Sequence, residues 1–162
     1  MRAKDFKESW ERGQQLEAEF FQLVLIRDPN ARAATRQEQF RHIDFVTSFG
    51  TIDVKSKKRI GRHQGEPQSE WVWLEYKNVQ GKNGWLDSEV DILAFERDDD
   101  FLVVFRKDVK LLADELCNLN ETVDNKKYAL YKGYTRKGRK DLITLVSMAD
   151  LMRLNYKLWS KL

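Results

Sequence analysis

The segment from Asp44 to Lys55 constrains the fold strongly, because its pattern is typical of a β-hairpin with charged groups on one face. Both arms are rich in β-branched and aromatic residues, and Gly50 lies where a tight turn needs backbone freedom. A turn centred on Phe49 and Gly50 predicts three facing pairs: Ser48 with Thr51, Val46 with Asp53, and Asp44 with Lys55. Because side chains alternate along a strand, one face is expected to carry Asp44, Asp53 and Lys55, and the core face Phe45, Thr47, Ile52 and Val54.

These three charged side chains form a candidate catalytic site. Carboxylate oxygens are the ligands that Mg²⁺ and Mn²⁺ prefer, and an ammonium group beside them can help to polarise a phosphodiester. The only histidines are His42 and His63 and the only cysteine is Cys117, which argues against a zinc finger. We therefore expect a Mg²⁺ or Mn²⁺ cofactor held by oxygen ligands.

Length and composition favour a single domain over residues 1–162. A chain of 162 residues can bury a core, and a charged fraction of 34% with a hydrophobic fraction of 41% is typical of a folded globular protein. No apolar run approaches the roughly 20 residues that cross a bilayer, and the first residues lack the apolar segment of a secretory signal. One cysteine cannot form an internal disulfide, so we expect a cytoplasmic protein with no membrane partner.

The periodicity of apolar residues predicts helices at both ends of the chain and strands between them. A stripe of Leu16, Phe20, Leu23 and Val24 predicts a first helix from about Asp5 to Arg27, which Asp28-Pro29-Asn30 ends. Residues 31–41 fit either a loop or a helical turn. After the hairpin the pattern predicts strand 71–79, a short helix within 85–94, strand 101–105, a helix at about 109–118, a hairpin of 128–134 with 142–146, and a last helix that Ser147 caps and whose apolar face carries Leu151, Leu154 and Leu158.

Asp44 followed by Asp53-Val54-Lys55 resembles the signature of the PD-(D/E)xK nuclease superfamily, an acidic residue followed by (D/E)-x-K. This superfamily includes restriction endonucleases, Holliday-junction resolvases and phage recombination nucleases. The element order over about residues 10–106 is similar too, although Ile43 replaces the family's proline. The resemblance implies an α/β protein with a restriction-endonuclease-like core, α-β-β-β-α-β, whose mixed sheet is flanked by helices, followed by a C-terminal β-hairpin and helix.

The function that this resemblance implies is a Mg²⁺-dependent DNA endonuclease, which hydrolyses phosphodiester bonds with metal-activated water. Two alternatives stay open. One is a nuclease-fold DNA-binding protein that is catalytically weak or inactive. The other is a resolvase of branched DNA, which would act as a homodimer because two strands must be cut in a coordinated way.

The resemblance also implies a role for each matching residue. Asp44, Asp53 and the carbonyl of Val54 would ligate the metal, and Lys55 would orient or activate the attacking water. Gly13-Gln14-Gln15-Leu16-Glu17 is similar to the helical G-xxx-E element of many members, so Glu17 would supply one more carboxylate, with Glu19 as its alternative. The competing interpretation of Glu17 is a solvated helix residue.

A second registration of the motif is possible, because Glu75-Tyr76-Lys77 is also an E-x-K that closes an apolar strand. In that registration Asp53 is the upstream acid and Lys77 the catalytic lysine. Alternation along the strand then predicts that one face carries Trp71, Trp73, Glu75 and Lys77. In the first registration Glu75 still reaches the metal from a neighbouring strand, and Lys77 is a surface lysine.

Basic residues are the candidates for DNA contact. The net charge is only +3, so their distribution is more informative than their sum. One group follows the hairpin and a second lies on a glycine-containing connection; Lys77 and Lys82 complete the set. The candidates for nucleic-acid binding are Lys57, Lys58, Arg59, Lys77, Lys82, Arg136, Lys137, Arg139 and Lys140. Either group can equally be a solvated surface.

Overall fold

The computed structural model describes residues 3–59 and 66–162 of the chain, with the side chains from residue 7 onward. Arg62 and His63 lie outside the described residues. The helices are α1 (Ala3–Arg27), α2 (Arg36–Phe40), α3 (Arg106–Leu116) and α4 (Met148–Leu151), and single 3₁₀ turns occupy Trp85–Asp87 and Lys126–Tyr128. The strands are β1 (Arg32–Ala33), β2 (Phe45–Thr47), β3 (Gly50–Lys55), β4 (Trp71–Lys77), β5 (Ile92–Glu96), β6 (Asp100–Phe105), β7 (Asn118–Val123), β8 (Lys132–Tyr134), β9 (Leu142–Ser147) and β10 (Tyr156–Ser160).

The strands form two mixed sheets. The first has six strands in the order β1-β2-β3-β5-β6-β10, and all its neighbours are antiparallel except β3 and β5, which run parallel. The second has four strands in the order β4-β9-β8-β7, with a parallel pair between β7 and β8. The protein is thus a mixed α/β structure with helices beside its sheets.

Helix α1 covers one face of the six-stranded sheet. Its predicted apolar stripe is confirmed, since its buried residues are Leu16, Phe20, Leu23 and Val24. They pack against side chains from the strands beneath, and the Phe20 ring lies 4.9 Å from Phe101 and 5.5 Å from Trp159 between ring centroids. At the helix end, Asp28 accepts the backbone N–H of Ser48 at 2.7 Å, which ties α1 to the hairpin turn.

The opposite face of the six-stranded sheet packs against the four-stranded sheet and α3. This second core joins Leu93 and Phe95 of β5 to Leu74 of β4, Val146 of β9 and Val109 of α3. The strands β3 and β5 therefore lie between two apolar layers. This position explains why Leu93 and Ala94 have no exposed surface.

The predicted hairpin is present, but its predicted register is wrong by two residues. Thr47 pairs with Gly50, so the turn residues are Ser48 and Phe49. The Thr47 hydroxyl donates to the Gly50 carbonyl at 2.7 Å, and Gly50 has a φ of +138°, in a region that favours glycine. Asp44 consequently does not face Lys55, because it precedes the last pair of the hairpin, Phe45 with Ile52. A shift by two leaves the predicted faces of the paired residues unchanged.

Two further sequence predictions, both near the middle of the chain, are wrong. The helix predicted within residues 85–94 is a single 3₁₀ turn followed by β5, because the apolar run of Ile92, Leu93 and Ala94 is buried on both faces as a central strand. The third predicted strand, β4, joins the second sheet and not the sheet of the hairpin. The neighbours of β3 are β2 and β5.

The C-terminal part agrees with the sequence prediction in part, because β7 was not predicted and the strand predicted over residues 128–134 is confined to Lys132–Tyr134. The hairpin of β8 and β9 is confirmed, and the Ser147 hydroxyl caps α4 by accepting the N–H of Ala149 at 3.1 Å. The predicted long last helix is wrong, since the chain turns after Leu151 and residues 156–160 pair with β6 as an edge strand. Along that strand Leu158 is exposed and Trp159 is buried, which is the alternation of a strand.

None of the helices in residues 3–59 and 66–162 is both long and apolar enough to span a bilayer.

A close approach between Gly84 and β4 yields a stability prediction. A Cβ at position 84 would lie 2.5 Å from the Glu75 carbonyl oxygen, so Gly84→Ala should destabilise the protein by about 1–3 kcal/mol. The matched control is Gly13→Ala, because a Cβ there meets nothing within 4 Å and alanine should stabilise α1 by about 0.5–1 kcal/mol. Urea unfolding of both variants checks this. Equal effects of the two changes would contradict the packing of the Gly84 segment against β4.

Candidate active site

The β2–β3 hairpin brings together the charged residues that the motif predicts. Ile52 and Val54 of β3 pack toward α1, so alternation turns Asp53 and Lys55 toward the other layer, beside Leu93 and Phe95 of the parallel strand. Asp44 immediately precedes β2 and sits at the same end of the hairpin. Its backbone N–H donates to the Ile52 carbonyl at 2.8 Å.

Asp44 is held by the backbone of β3. Its Oδ2 accepts the N–H of Val54 at 2.9 Å. The N–H and C=O of one strand residue point to the same side, so the Val54 carbonyl also faces the Asp44 side of β3. Burial, together with the neighbouring charge of Asp53, raises the pKa of Asp44 to about 7.

Asp53 is the most buried charged group of the site, with 4% of its surface exposed. Burial raises the pKa of this carboxyl, and the charge of Lys55 opposes that shift. The Lys55 Nζ lies 2.9 Å from Asp53 Oδ2 as an ion pair. Apart from this ion pair, no described residue gives Oδ2 a hydrogen bond.

Lys55 is positioned by an aromatic ring as well as by Asp53. Its Nζ lies 4.7 Å from the ring centroid of Trp85, whose indole packs edge-on against Phe95. Trp85 is buried, so it supports the lysine rather than meeting solvent.

Glu17 and Glu75 reach the same region from two other elements. Glu17, on α1, is exposed overall, but partial burial and the charge of Asp44 raise the pKa of its carboxyl. Glu75 lies at the end of β4 and accepts the backbone N–H of Trp85 at 3.4 Å. Both glutamates line the groove described below. Glu19 is exposed and accepts from Gln15 within the helix.

His42 is a neighbour of this site that sequence reasoning did not select. It has a left-handed backbone with φ of +65° and lines the groove. Burial lowers the pKa of its imidazole, and the positive charge of Lys55 adds to that effect. Its place directly before Ile43 and Asp44 is the signal that was available, because residues flanking a motif acid share its surroundings.

The second registration of the motif is not assembled in the same way. β4 contains an irregularity between Glu75 and Lys77, where Glu75 pairs with Ile143 and Lys77 with the adjacent Leu142. One extra residue on β4 turns Lys77 off the face that carries Glu75. Lys77 is exposed and does not line the groove, so the lysine that meets Asp53 is Lys55.

A groove of about 970 Å³ opens beside these residues, between the end of β3, α1 and the four-stranded sheet. Among its lining residues in the described ranges, three are acidic and eight are basic. The acidic ones are Glu17, Glu75 and Glu96; the basic ones are Lys55, Lys57, Lys58, Arg59, Lys126, Arg136, Lys137 and Arg139. The groove therefore favours an anionic ligand.

The basic candidates differ in how they are held. Lys57 pairs with Asp98 at 3.0 Å, and Arg136 pairs with the buried Asp141 at 2.6 Å, so these two are partly neutralised. Lys137 and Arg139 are exposed, with no carboxylate partner in the described parts of the chain.

Three of the predicted DNA contacts lie outside the groove. Lys82 and Lys77 are exposed beside the turn after β4, and Lys140 lies against Gly81 of that turn. The structure therefore separates these three lysines from the groove-lining set. They belong to a different part of the surface.

The donors that this site offers to a divalent cation are carboxylate and carbonyl oxygens. Within residues 3–59 and 66–162 no three His, Cys, Asp or Glu side chains are arranged as a ready metal cluster. Two carboxylates with raised pKa values nevertheless lie together, and one buried carboxylate oxygen lacks a hydrogen bond. Oxygen donors of this kind fit Mg²⁺ or Mn²⁺, and Asp44, Asp53 and the Val54 carbonyl are the residues that would hold the ion.

Comparison of the chain with protein-family models, curated proteins and solved structures gives no match.

The raised pKa of Asp44 predicts a pH dependence of stability in the absence of divalent metal. The folded state keeps the Asp44 proton up to about pH 7, whereas the usual value is 3.8, so folded protein binds more protons across this interval. Stability should therefore fall as the pH rises from 5 to 8. Asp44→Asn removes the carboxyl that titrates, so it should remove this contribution of about 1–3 kcal/mol and flatten the dependence. The amide oxygen can still accept the N–H of Val54, so the local hydrogen bond is kept.

Urea unfolding in EDTA at pH 5 and pH 8 measures this effect. Asp124→Asn is the matched control, since Asp124 is exposed on the connection between β7 and β8 and does not line the groove. Identical pH profiles for the wild type and Asp44→Asn would contradict the raised pKa.

Proposed function

We propose that the protein is a Mg²⁺- or Mn²⁺-dependent DNA endonuclease that hydrolyses phosphodiester bonds. The observation that carries the proposal is the cluster of Asp44, Asp53 and Lys55, whose Lys55 lines a groove together with seven further basic residues. Acidic groups that suit a cation, an ammonium beside them and a surface that attracts phosphates are the three parts that such a reaction needs. A cytoplasmic location suits an enzyme whose substrate is DNA.

The proposed roles follow from the contacts. Asp44, Asp53 and the Val54 carbonyl hold the ion, whose chemistry is to polarise the phosphodiester and to lower the pKa of a bound water. Lys55 is held between Asp53 and Trp85, so its charge is fixed in place to stabilise the additional negative charge on phosphate in the transition state. Glu17 and Glu75 are candidates for further outer ligands.

The architecture supports a relationship to the PD-(D/E)xK nucleases in some respects and departs from it in others. Helix α1, the β2–β3 hairpin and a mixed sheet agree with the core that the motif implies. The departure is β4, which pairs in the second sheet while β5 lies beside β3. The proposal therefore depends on the site more than on the arrangement of strands.

A DNA-binding protein without catalysis is the competing function, and one observation favours it. The Lys55 ammonium already lies 2.9 Å from Asp53, where it neutralises a carboxylate that the proposed metal needs. If this ion pair persists, the groove binds DNA and the site remains inactive. Metal binding and cleavage separate the two functions.

The first test of catalysis compares two lysines. Lys55→Ala should reduce the cleavage rate about 10²-fold or more, because a fixed charge aimed at the transition state is lost. Lys77→Ala is the matched control and should retain most of the activity, since Lys77 is exposed and outside the groove. The assay uses linear, nicked, single-stranded and four-way DNA, each with Mg²⁺ and with EDTA. Small and equal effects of the two changes, or no cleavage of any substrate with Mg²⁺ or Mn²⁺, would contradict the proposal.

The second test measures the ion directly by calorimetric titration with Mn²⁺. Wild-type protein should bind the ion more tightly as the pH rises toward 7, by up to about tenfold per unit, because Asp44 must lose its proton. Asp53→Asn should abolish this binding, while Asp124→Asn should not change it. Mn²⁺ affinity that survives in Asp53→Asn would place the metal elsewhere.

A further inference from the structure

We propose that the groove selects single-stranded DNA, whose unpaired bases stack on aromatic residues of the four-stranded sheet. This inference rests on the proposed function, because it specifies the substrate of the same site. It is based on Trp71, Trp73 and Tyr134, which have no role in the proposed catalysis.

The three aromatic residues lie on one face of the four-stranded sheet. Trp71 and Trp73 alternate along β4 with Val72 and Leu74, and Tyr134 lies two strands away on β8. Trp73 pairs with Leu145 and Tyr134 with Ile143, so both belong to the same face of β9. The rings of Trp73 and Tyr134 lie 5.9 Å apart between centroids at an angle of 34°.

The two apolar cores do not account for these rings. The opposite face of β4 supplies Leu74 and Tyr76 to the core between the sheets, whereas neither apolar core includes Trp71, Trp73 or Tyr134. All three are only half-buried and line the groove. Large aromatic rings left partly open beside a functional cleft are available to a ligand.

The charges around the rings indicate what that ligand is. Arg136, Lys137 and Arg139 follow Tyr134 along the chain, and Lys58 and Arg59 line the same groove from the segment after β3. A ligand that satisfies both features has flat aromatic groups on an anionic backbone. Nucleic acid has this combination, and the cations match its phosphates.

The aromatic rings distinguish single strands from duplexes. In a duplex the faces of the bases are covered by neighbouring base pairs, and only their edges are exposed in the grooves. An unpaired base offers its face, and stacking on an aromatic side chain adds affinity that depends little on sequence. We therefore expect duplex DNA to use the cations alone, while single-stranded DNA uses the cations and the rings.

The test is fluorescence polarisation of labelled oligothymidine of about 20 nucleotides against a duplex of equal length, in EDTA so that no cleavage occurs. Single-stranded DNA should bind at least about tenfold more tightly than duplex. Trp73→Leu should weaken single-strand binding about tenfold and leave duplex binding unchanged, and Trp73→Phe should retain most of the affinity because the ring is kept. Trp10→Leu is the matched control, since Trp10 is exposed on α1 and does not line the groove.

Thermal unfolding confirms that each variant is folded, and Tyr134→Leu replaces Trp73→Leu if that variant is not. Duplex binding as tight as single-strand binding, or equal affinities of the leucine and phenylalanine variants, would overturn the inference. A failure of the proposed catalysis is recognised separately, as single-strand binding in EDTA with no cleavage after Mg²⁺ or Mn²⁺ is added. Cleavage restricted to duplex DNA would retain the endonuclease and overturn the strand preference.

Discussion

The alternation of side chains along β3 determines much of the structure around it. This strand lies in the middle of the six-stranded sheet, with α1 on one face and the second sheet on the other. Ile52 and Val54 pack against α1, so the side chains of Asp53 and Lys55 must point into the opposite layer. A fully apolar strand would pack more simply here, so the charged pair is a local exception to the rule that buries apolar residues.

The surrounding contacts offset part of the cost of these buried charges. The Val54 amide donates to Asp44, Lys55 neutralises Asp53, and the Trp85 ring supports the ammonium. One carboxylate oxygen still lacks a hydrogen bond, and the pKa of Asp44 remains high. Buried ion pairs of this kind contribute little net stability, which is a reason to attribute the cluster to function and not to folding.

The sequence predicts the parts of the fold that local periodicity specifies. The α1 stripe and the Asp44, Asp53 and Lys55 face follow directly from helix and strand repeats. The hairpin register depends instead on the hydrogen bonds of Thr47 with the turn, which a turn motif alone does not specify. The sequence predicts a helix where β5 begins, because an apolar run covered on both faces has no period that distinguishes a strand from a helix. Two features could not be predicted in this way, because they depend on tertiary packing. They are the ion pair of Arg136 with Asp141 and the position of His42 beside the site.

The extra residue in β4 has a consequence for how the site can change over time. Two strands beside the groove, β3 and β4, each carry an acid-x-lysine tripeptide, and the irregularity at Tyr76 turns the lysine of β4 away from the groove. Loss of one residue at that point would restore regular alternation and turn Lys77 toward the face of Glu75. A single-codon deletion thus separates the present arrangement from one with a second carboxylate–ammonium pair on the groove wall, so the position of such a pair could move between strands without a new fold.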